Sequence, residues 1–201
     1  MLEKALSLQA DASHPLQLLA SVRLSQNREE DAVQLLEKSL ETWLTPLQSA
    51  QEEAEEKRKT RIKKKEAAKA EELILPDNFP PFEQRLACTR LCMEVGKFAE
   101  ALDILYYLQM ENDEVIDIWY LYGLCHHFTL EQQLAEEENE ETEKSLRAHA
   151  ADCFATAWKL YQRHGSADTQ MVSHIKEMTT QYPTEQEEEE ESEEPLDEDM
   201  T

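Results

Sequence analysis

Glycine is almost missing from this chain, with three in 201 residues. A phosphate-cradling loop, a dinucleotide fingerprint and a nucleophile elbow each need closely spaced glycines. Three scattered ones exclude all of them. Proline is also sparse, at seven, and the stretches between are rich in Leu, Ala, Glu and Lys, a composition that predicts helices joined by short turns and an all-α fold. No hydrophobic run approaches the roughly 20 residues of a spanning helix. The opening MLEKALSLQAD has acids where a secretory or mitochondrial leader is basic or acid-free, so the expected location is the cytoplasm and nucleus, with no membrane partner. Of four cysteines none forms a C-x-x-C pair, which points to reduced thiols rather than a disulfide scaffold. Bases are few, 20 against 44 acids, and the net charge of -24 repels nucleic acid and favours a basic partner.

What is present is a helical repeat signal. Ala101 follows Gly96 by five residues, and Trp119 follows Ala101 by eighteen. The tetratricopeptide (TPR) repeat reads W-x2-L-G-x2-Y, then A-x3-F, at a 34-residue period. Trp119-x2-Tyr122-Gly123-x2-His126 follows its first half, with Trp119 expected as the large anchor of its helix. Ala150-x3-Phe154-x2-Ala157 has the spacing of the second half but arrives fifteen residues late. The intervening Glu131 to Glu143, with seven acids and no base, is the insertion responsible; it extends the two flanking helices or forms a loop. The expected fold is a TPR-like helical-hairpin solenoid closed by a C-terminal capping helix and followed by a disordered acidic tail.

Four segments follow. Residues 1–46 form an N-terminal TPR-like hairpin: Met1 to Gln9 is a short amphipathic stretch, Leu16, Leu19, Ala20 and Arg23 recur at helical spacing, Asn27 breaks the helix, and Ala32, Leu36, Leu40 and Trp43 make the facing stripe. Residues 47–82 are a charged degenerate repeat ending in the Pro-rich loop LILPDNFPPF, whose Phe79 and Phe82 are free to anchor it. Residues 83–182 hold the TPR repeats, the insertion at 131–143 and the capping helix, with Asn112-Asp113 expected to cap the Trp119 helix. In the capping helix Met171, Val172, Ile175 and Met178 face inward. Residues 183–201 are the tail, where Thr184 to Thr201 has eleven acids and no base and too little apolar surface to fold alone.

Chemistry is limited. Cys88 and Cys92 with Cys125, His126 and His127 can be drawn as a zinc site, but inward repeat positions explain Cys88, Cys92 and His126 as ordinary core, His127 faces the groove, and the paired ligand spacings of zinc sites are absent. No catalytic, cofactor-binding or metal-ligating residues are assigned, and the chain reads as a non-enzyme. The basic run Lys57, Arg58, Lys59, Arg61, Lys63, Lys64 and Lys65 reads either as a nuclear-localisation signal, implying import factors as partners, or as a solvated charged helix. The outward positions of successive first helices give a candidate client-binding groove: Glu83, Arg90, Glu94, Glu114, Asp117, Tyr120, Leu124 and His127. Its carboxylates suit Lys and Arg side chains, and Tyr120 and Leu124 suit an apolar anchor. Plain solvent exposure of the three acids Glu83, Glu94 and Asp117 is the other reading.

The stretch from Leu75 to Phe128, above all DEVIDIWYLYG, resembles the small acidic TPR proteins that act as dedicated assembly chaperones of large-subunit ribosomal protein L-four. PLQLLASVRLSQNREEDAVQLLEKSLETW, Pro15 to Trp43, and the acidic C-terminus are similar to that family too. The basic Lys57 to Lys65 segment and the long acidic insertion depart from the pattern. The resemblance implies capture of a newly made basic ribosomal protein through its internal loop and its escort to nuclear ribosome assembly, without direct binding to nucleic acid. The alternative is a general TPR scaffold joining subunits of a multiprotein complex.

Overall fold

A computed structural model describes residues 13–63, 79–135, 140–166 and 168–184, with backbone alone at 54–55, 57–63 and 134–135. Among the described residues every regular element is a helix: α1 (Ser13–Ser25), α2 (Glu29–Glu41), α3 (Leu44–Lys63), α4 (Phe82–Glu94), α5 (Phe98–Glu111), α6 (Ile116–Ala135), α7 (Glu140–His164) and α8 (Thr169–Gln181). The all-α expectation is met. The Met1 to Gln9 stretch, Lys64 and Lys65, and the tail beyond Thr184 lie outside the described residues. The chain forms two compact units, residues 1–97 and 98–201.

In the first unit α1 and α2 pair through Leu16, Leu19 and Ala20 on one side and Ala32, Leu36 and Leu40 on the other, all buried. Asn27 breaks α1 as its position implied. It takes the left-handed conformation, φ 55°, and lets Arg28 N–H reach back to the Arg23 carbonyl and Asn27 N–H to that of Leu24, a paired closure of otherwise orphaned carbonyls. Gly96, φ 74°, ends α4 in the same way through Lys97 N–H to Cys92 and Gly96 N–H to Met93. Between α1 and α2 lies a polar relay that the apolar spacing did not announce. Gln17 Nε2 donates to Ser39 Oγ at 3.2 Å, and Ser39 Oγ donates to the Ser13 carbonyl at 3.1 Å. All three residues are buried, and their mutual bonds offset the desolvation that burying them costs.

The end of the proline-rich loop, from Phe79 to Phe82, is pinned by a buried cation. Arg85 of α4 is 2% exposed. Its Nε donates to the Pro80 carbonyl at 2.9 Å, and its guanidinium lies 4.5 Å from the Phe79 ring centroid and 5.8 Å from that of Phe82. Phe79 in turn meets fully buried Trp43 edge-on at 5.8 Å. Both phenylalanines therefore anchor the loop, as their placement suggested, with Arg85 as the group they close upon.

In the second unit α6 and α7 make the longest pairing, and the fifteen-residue delay has a simple form. Residues 131–135 prolong α6, and Glu140 to Glu143 begin α7, so the described parts of the insertion lengthen both helices; 136–139 lie outside the described residues. The core is Ala101, Ile104, Leu105 and Leu108 from α5, Ile118, Leu121, Cys125 and Leu130 from α6, and Ala150, Phe154, Ala157 and Leu160 from α7. At Gly123 the helices approach so closely that a Cβ would stand 2.6 Å from the Phe154 ring. Gly165, φ 71°, closes α7, and Asp168 caps α8 by accepting from Gln170 N–H at 3.1 Å and Met171 N–H at 2.9 Å. Ile175 and Met178 of α8 are buried as expected, while Met171 and Val172 are half-buried.

Two local expectations fail here. Asn112 does not cap α6, which begins only at Ile116; its Oδ1 accepts from Glu114 N–H at 3.1 Å, making a side-chain turn ahead of the helix. Trp119 is not the deep anchor. Sitting in the first turn, its indole N–H donates 2.6 Å back to the Asp113 carbonyl, and its neighbour Ile118 takes the fully buried position.

Candidate functional site

The sequence-predicted groove residues fall in both units and take two kinds of setting. In the first unit Glu83, Arg90 and Glu94 are exposed along α4, with Ala87 completing an i, i+4, i+7, i+11 stripe opposite buried Leu86, Cys88, Thr89 and Cys92. This face is exposed among the described residues, and its carboxylates are placed for charge-assisted bonds with Lys or Arg.

In the second unit the matching face of α6 is covered within the chain. Glu114 is exposed and Asp117 half-buried. Tyr120 Oη lies 2.8 Å from His174 Nδ1, and its ring meets His174 edge-on at 5.8 Å. His127 Nδ1 lies 2.7 Å from Tyr182 Oη, with Nε2 at 3.6 Å from Glu131. Leu124, between them, is buried rather than outward. The cause is α8 and the residue after it, which lie against these positions and bury part of each aromatic ring. Burial, reinforced by Asp168 and Asp117, raises the Tyr120 phenol pKa, and burial also raises that of Tyr182. Both phenols therefore stay protonated and serve as hydrogen-bonding groups.

The buried titratable groups are arranged for packing. Burial pushes the Cys125 and Cys153 thiols up to about 12, aided by Cys153 and by Asp152 respectively, which keeps them far from the thiolate a nucleophile or metal ligand needs. Among the described residues no three His, Cys, Asp or Glu side chains converge to hold a metal ion. His126, expected inward, is half-buried between Tyr122 at 6.4 Å and His149 at 5.3 Å, both rings stacked on it. Its pKa is lowered to about 4, by burial first and by His149 second. A depressed folded-state value means that the unfolded chain takes up a proton below about 6.5, while the folded chain refuses it until about 4. Stability from this residue is present above that window and is lost as pH falls through it. A His126→Phe variant, which keeps the stacking ring, is expected to show a shallower decline of Tm between those pH values than the parent. Identical slopes would contradict the assignment.

Of the basic run, Lys57 to Lys63 lie on α3 with side chains outside the description. Sequence reasoning missed Arg85, for which the neighbouring Phe79, Pro80, Pro81 and Phe82 were the available signal. It also missed the pairing of Tyr120 and His127 with the final helix, which no local pattern announces.

Among the described residues these elements define an all-α protein with many exposed carboxylates. No protein-family model matches the chain. It is similar to a protein of Schizosaccharomyces pombe named a probable assembly chaperone of rpl4, 34% identical over 177 residues, which are 86% of this chain and 45% of that protein. A protein of Emericella nidulans with the same name is 32% identical over 189 residues, 89% of this chain and 42% of the relative. The chain thus spans less than half the length of the curated relatives it matches, and the resemblance carried by Leu75 to Phe128 extends across most of its own length.

Proposed function

We propose that the chain is a chaperone without catalytic activity that binds a newly made, basic large-subunit ribosomal protein of the L-four type. It holds this client on acid-lined helical surfaces and escorts it from the cytoplasm to nuclear ribosome assembly. The observation that carries this reading is the similarity, over most of the chain, to two proteins each named a probable assembly chaperone of rpl4. The charge of -24 supports it, because an acidic protein attracts a basic client and discourages its premature contact with RNA. The exposed acids of α4 support a client surface there, and so do exposed Glu114 ahead of α6 and exposed Glu131 on its covered face. A TPR-like stacking of helices is supported by fully buried Ala32 and Ala101 and by the close approach at Gly123. Import through Lys57 to Lys65, with an import factor as second partner, belongs to the same reading.

Affinity purification of the tagged chain from its own cells is expected to recover one basic large-subunit ribosomal protein in stoichiometric amount, without the others. Recovery of a stable multisubunit complex lacking a basic client would replace this reading with that of a scaffold. With the purified pair, affinity is expected to fall steeply between low and high ionic strength, as screening shortens the reach of exposed charges, and Glu83→Lys with Glu94→Lys should weaken it further. Salt-independent affinity would show that charge does not drive capture.

A further inference from the structure

Helix α5 turns a second stripe away from the core. Opposite buried Ala101, Ile104, Leu105 and Leu108 stand Ala99, Asp103, Tyr106 and Met110, all exposed. Met110 is 73% exposed and Tyr106 42%, an unusual use of large apolar side chains in so charged a protein. The rings continue beyond the helix. Tyr107 meets Tyr106 edge-on at 5.4 Å, on a helix that packs against α6. Trp119 stands 6.1 Å from Tyr122, and Tyr122 stacks on His126, which stacks on exposed His149 of α7. A ribbon of rings therefore joins α6 and α7, with the Tyr106–Tyr107 pair on the adjoining α5, and the exposed carboxylates of Asp103, Glu111, Asp113 and Glu114 belong to that helix and the turn that follows it.

Ring faces carry negative potential and attract cations. A guanidinium is flat, weakly hydrated and able to stack while its N–H groups bond a neighbouring carboxylate, whereas an ammonium is a strongly hydrated point charge that stacks less well. Aromatic faces beside carboxylates thus discriminate between the two basic side chains, which a carboxylate surface alone does poorly. An acidic partner is repelled, and so is a second copy carrying -24 against -24. His126, with its pKa near 4, adds no positive charge to the ribbon at neutral pH.

We propose that this ribbon is a docking surface for arginine side chains of a basic polypeptide segment, read by stacking on Tyr106 and its neighbouring rings and by bonding to the flanking carboxylates. The proposal rests on the basic-client reading and adds a preference for arginine over lysine. The test uses the full chain with fluorescently labelled deca-arginine and deca-lysine peptides, followed by anisotropy at about physiological ionic strength. The parent protein is expected to bind deca-arginine about 5-fold more tightly than deca-lysine. Tyr106→Leu, which keeps apolar bulk and removes the ring face, should weaken deca-arginine about 2- to 5-fold and leave both deca-lysine affinity and the thermal melt unchanged. Equal affinities for the two peptides would overturn the arginine preference. A preference for deca-arginine that Tyr106→Leu does not alter would overturn the ribbon while leaving the basic-client reading standing, and binding of neither peptide would remove both. Concentration-dependent dimerisation in sedimentation, abolished by Met110→Glu, would overturn the proposal in favour of a second copy as occupant.

Discussion

Phe154→Ala is expected to destabilise the second unit by about 3–5 kcal/mol, a large share of the roughly 5–15 kcal/mol that holds an ordinary domain folded. Phe154 is fully buried, with its ring 6.5 Å from that of Tyr120 and 5.9 Å from that of Tyr182, so its loss opens a cavity beneath α8 as well as between α6 and α7. Gly123 sharpens the test. Adding a methyl there places carbon 2.6 Å from the Phe154 ring, and a ring so enclosed has no room to retreat; Gly123→Ala alone should cost about 1–3 kcal/mol. In the double variant the new methyl occupies part of the space the ring vacated, so the combined loss should be smaller than the two single losses added. Urea unfolding of the four proteins, followed by far-UV circular dichroism, gives the cycle. Additivity to within about 0.5 kcal/mol would show that the two positions do not share the contact.

Arg85→Glu should be the most damaging single change in the first unit, at about 3–5 kcal/mol. The native guanidinium meets two ring faces and a carbonyl oxygen, all partners for positive charge. A carboxylate in its place would face the same negative surfaces after being stripped of water. Arg85→Met keeps much of the buried apolar stem but loses the bond to Pro80 and the cation's attraction to the rings, a loss of about 2 kcal/mol. The difference between the two variants measures what the sign of the charge contributes. Equal denaturation midpoints would mean that Arg85 acts as packing volume alone.

How far the sequence could be read follows from which interactions are local. Ala32, Leu36, Leu40 and Trp43 recur at helical spacing, and all are buried; burial of one helix face leaves a periodic trace that needs no knowledge of the partner. Asn27 and Gly96 were legible because a left-handed closing residue tolerates few side chains. Spacing also put Tyr120, Leu124 and His127 on one face of α6, but it carried no information about what covers that face, which is set by a helix some fifty residues onward. Trp119 was misread because the repeat pattern fixes its register and not the start of its helix. Arg85 escaped for a related reason: an arginine in a charged helix looks solvated until the phenylalanines before it fold over it. The exposed stripe of Glu83, Arg90 and Glu94 was fully legible in its placement, since solvent-facing positions are the complement of the buried ones.

The buried cysteines give each unit its own clock. All four cysteines are buried and form no disulfide in the folded chain, and Cys125 and Cys153, held near pKa 12, have almost no thiolate to offer a reagent under mild conditions. Modification must therefore await an opening of the surrounding helices. Cys88 and Cys92 mark time for the first unit, Cys125 and Cys153 for the second, and peptide mapping of a short alkylation pulse resolves which half of the chain breathes first.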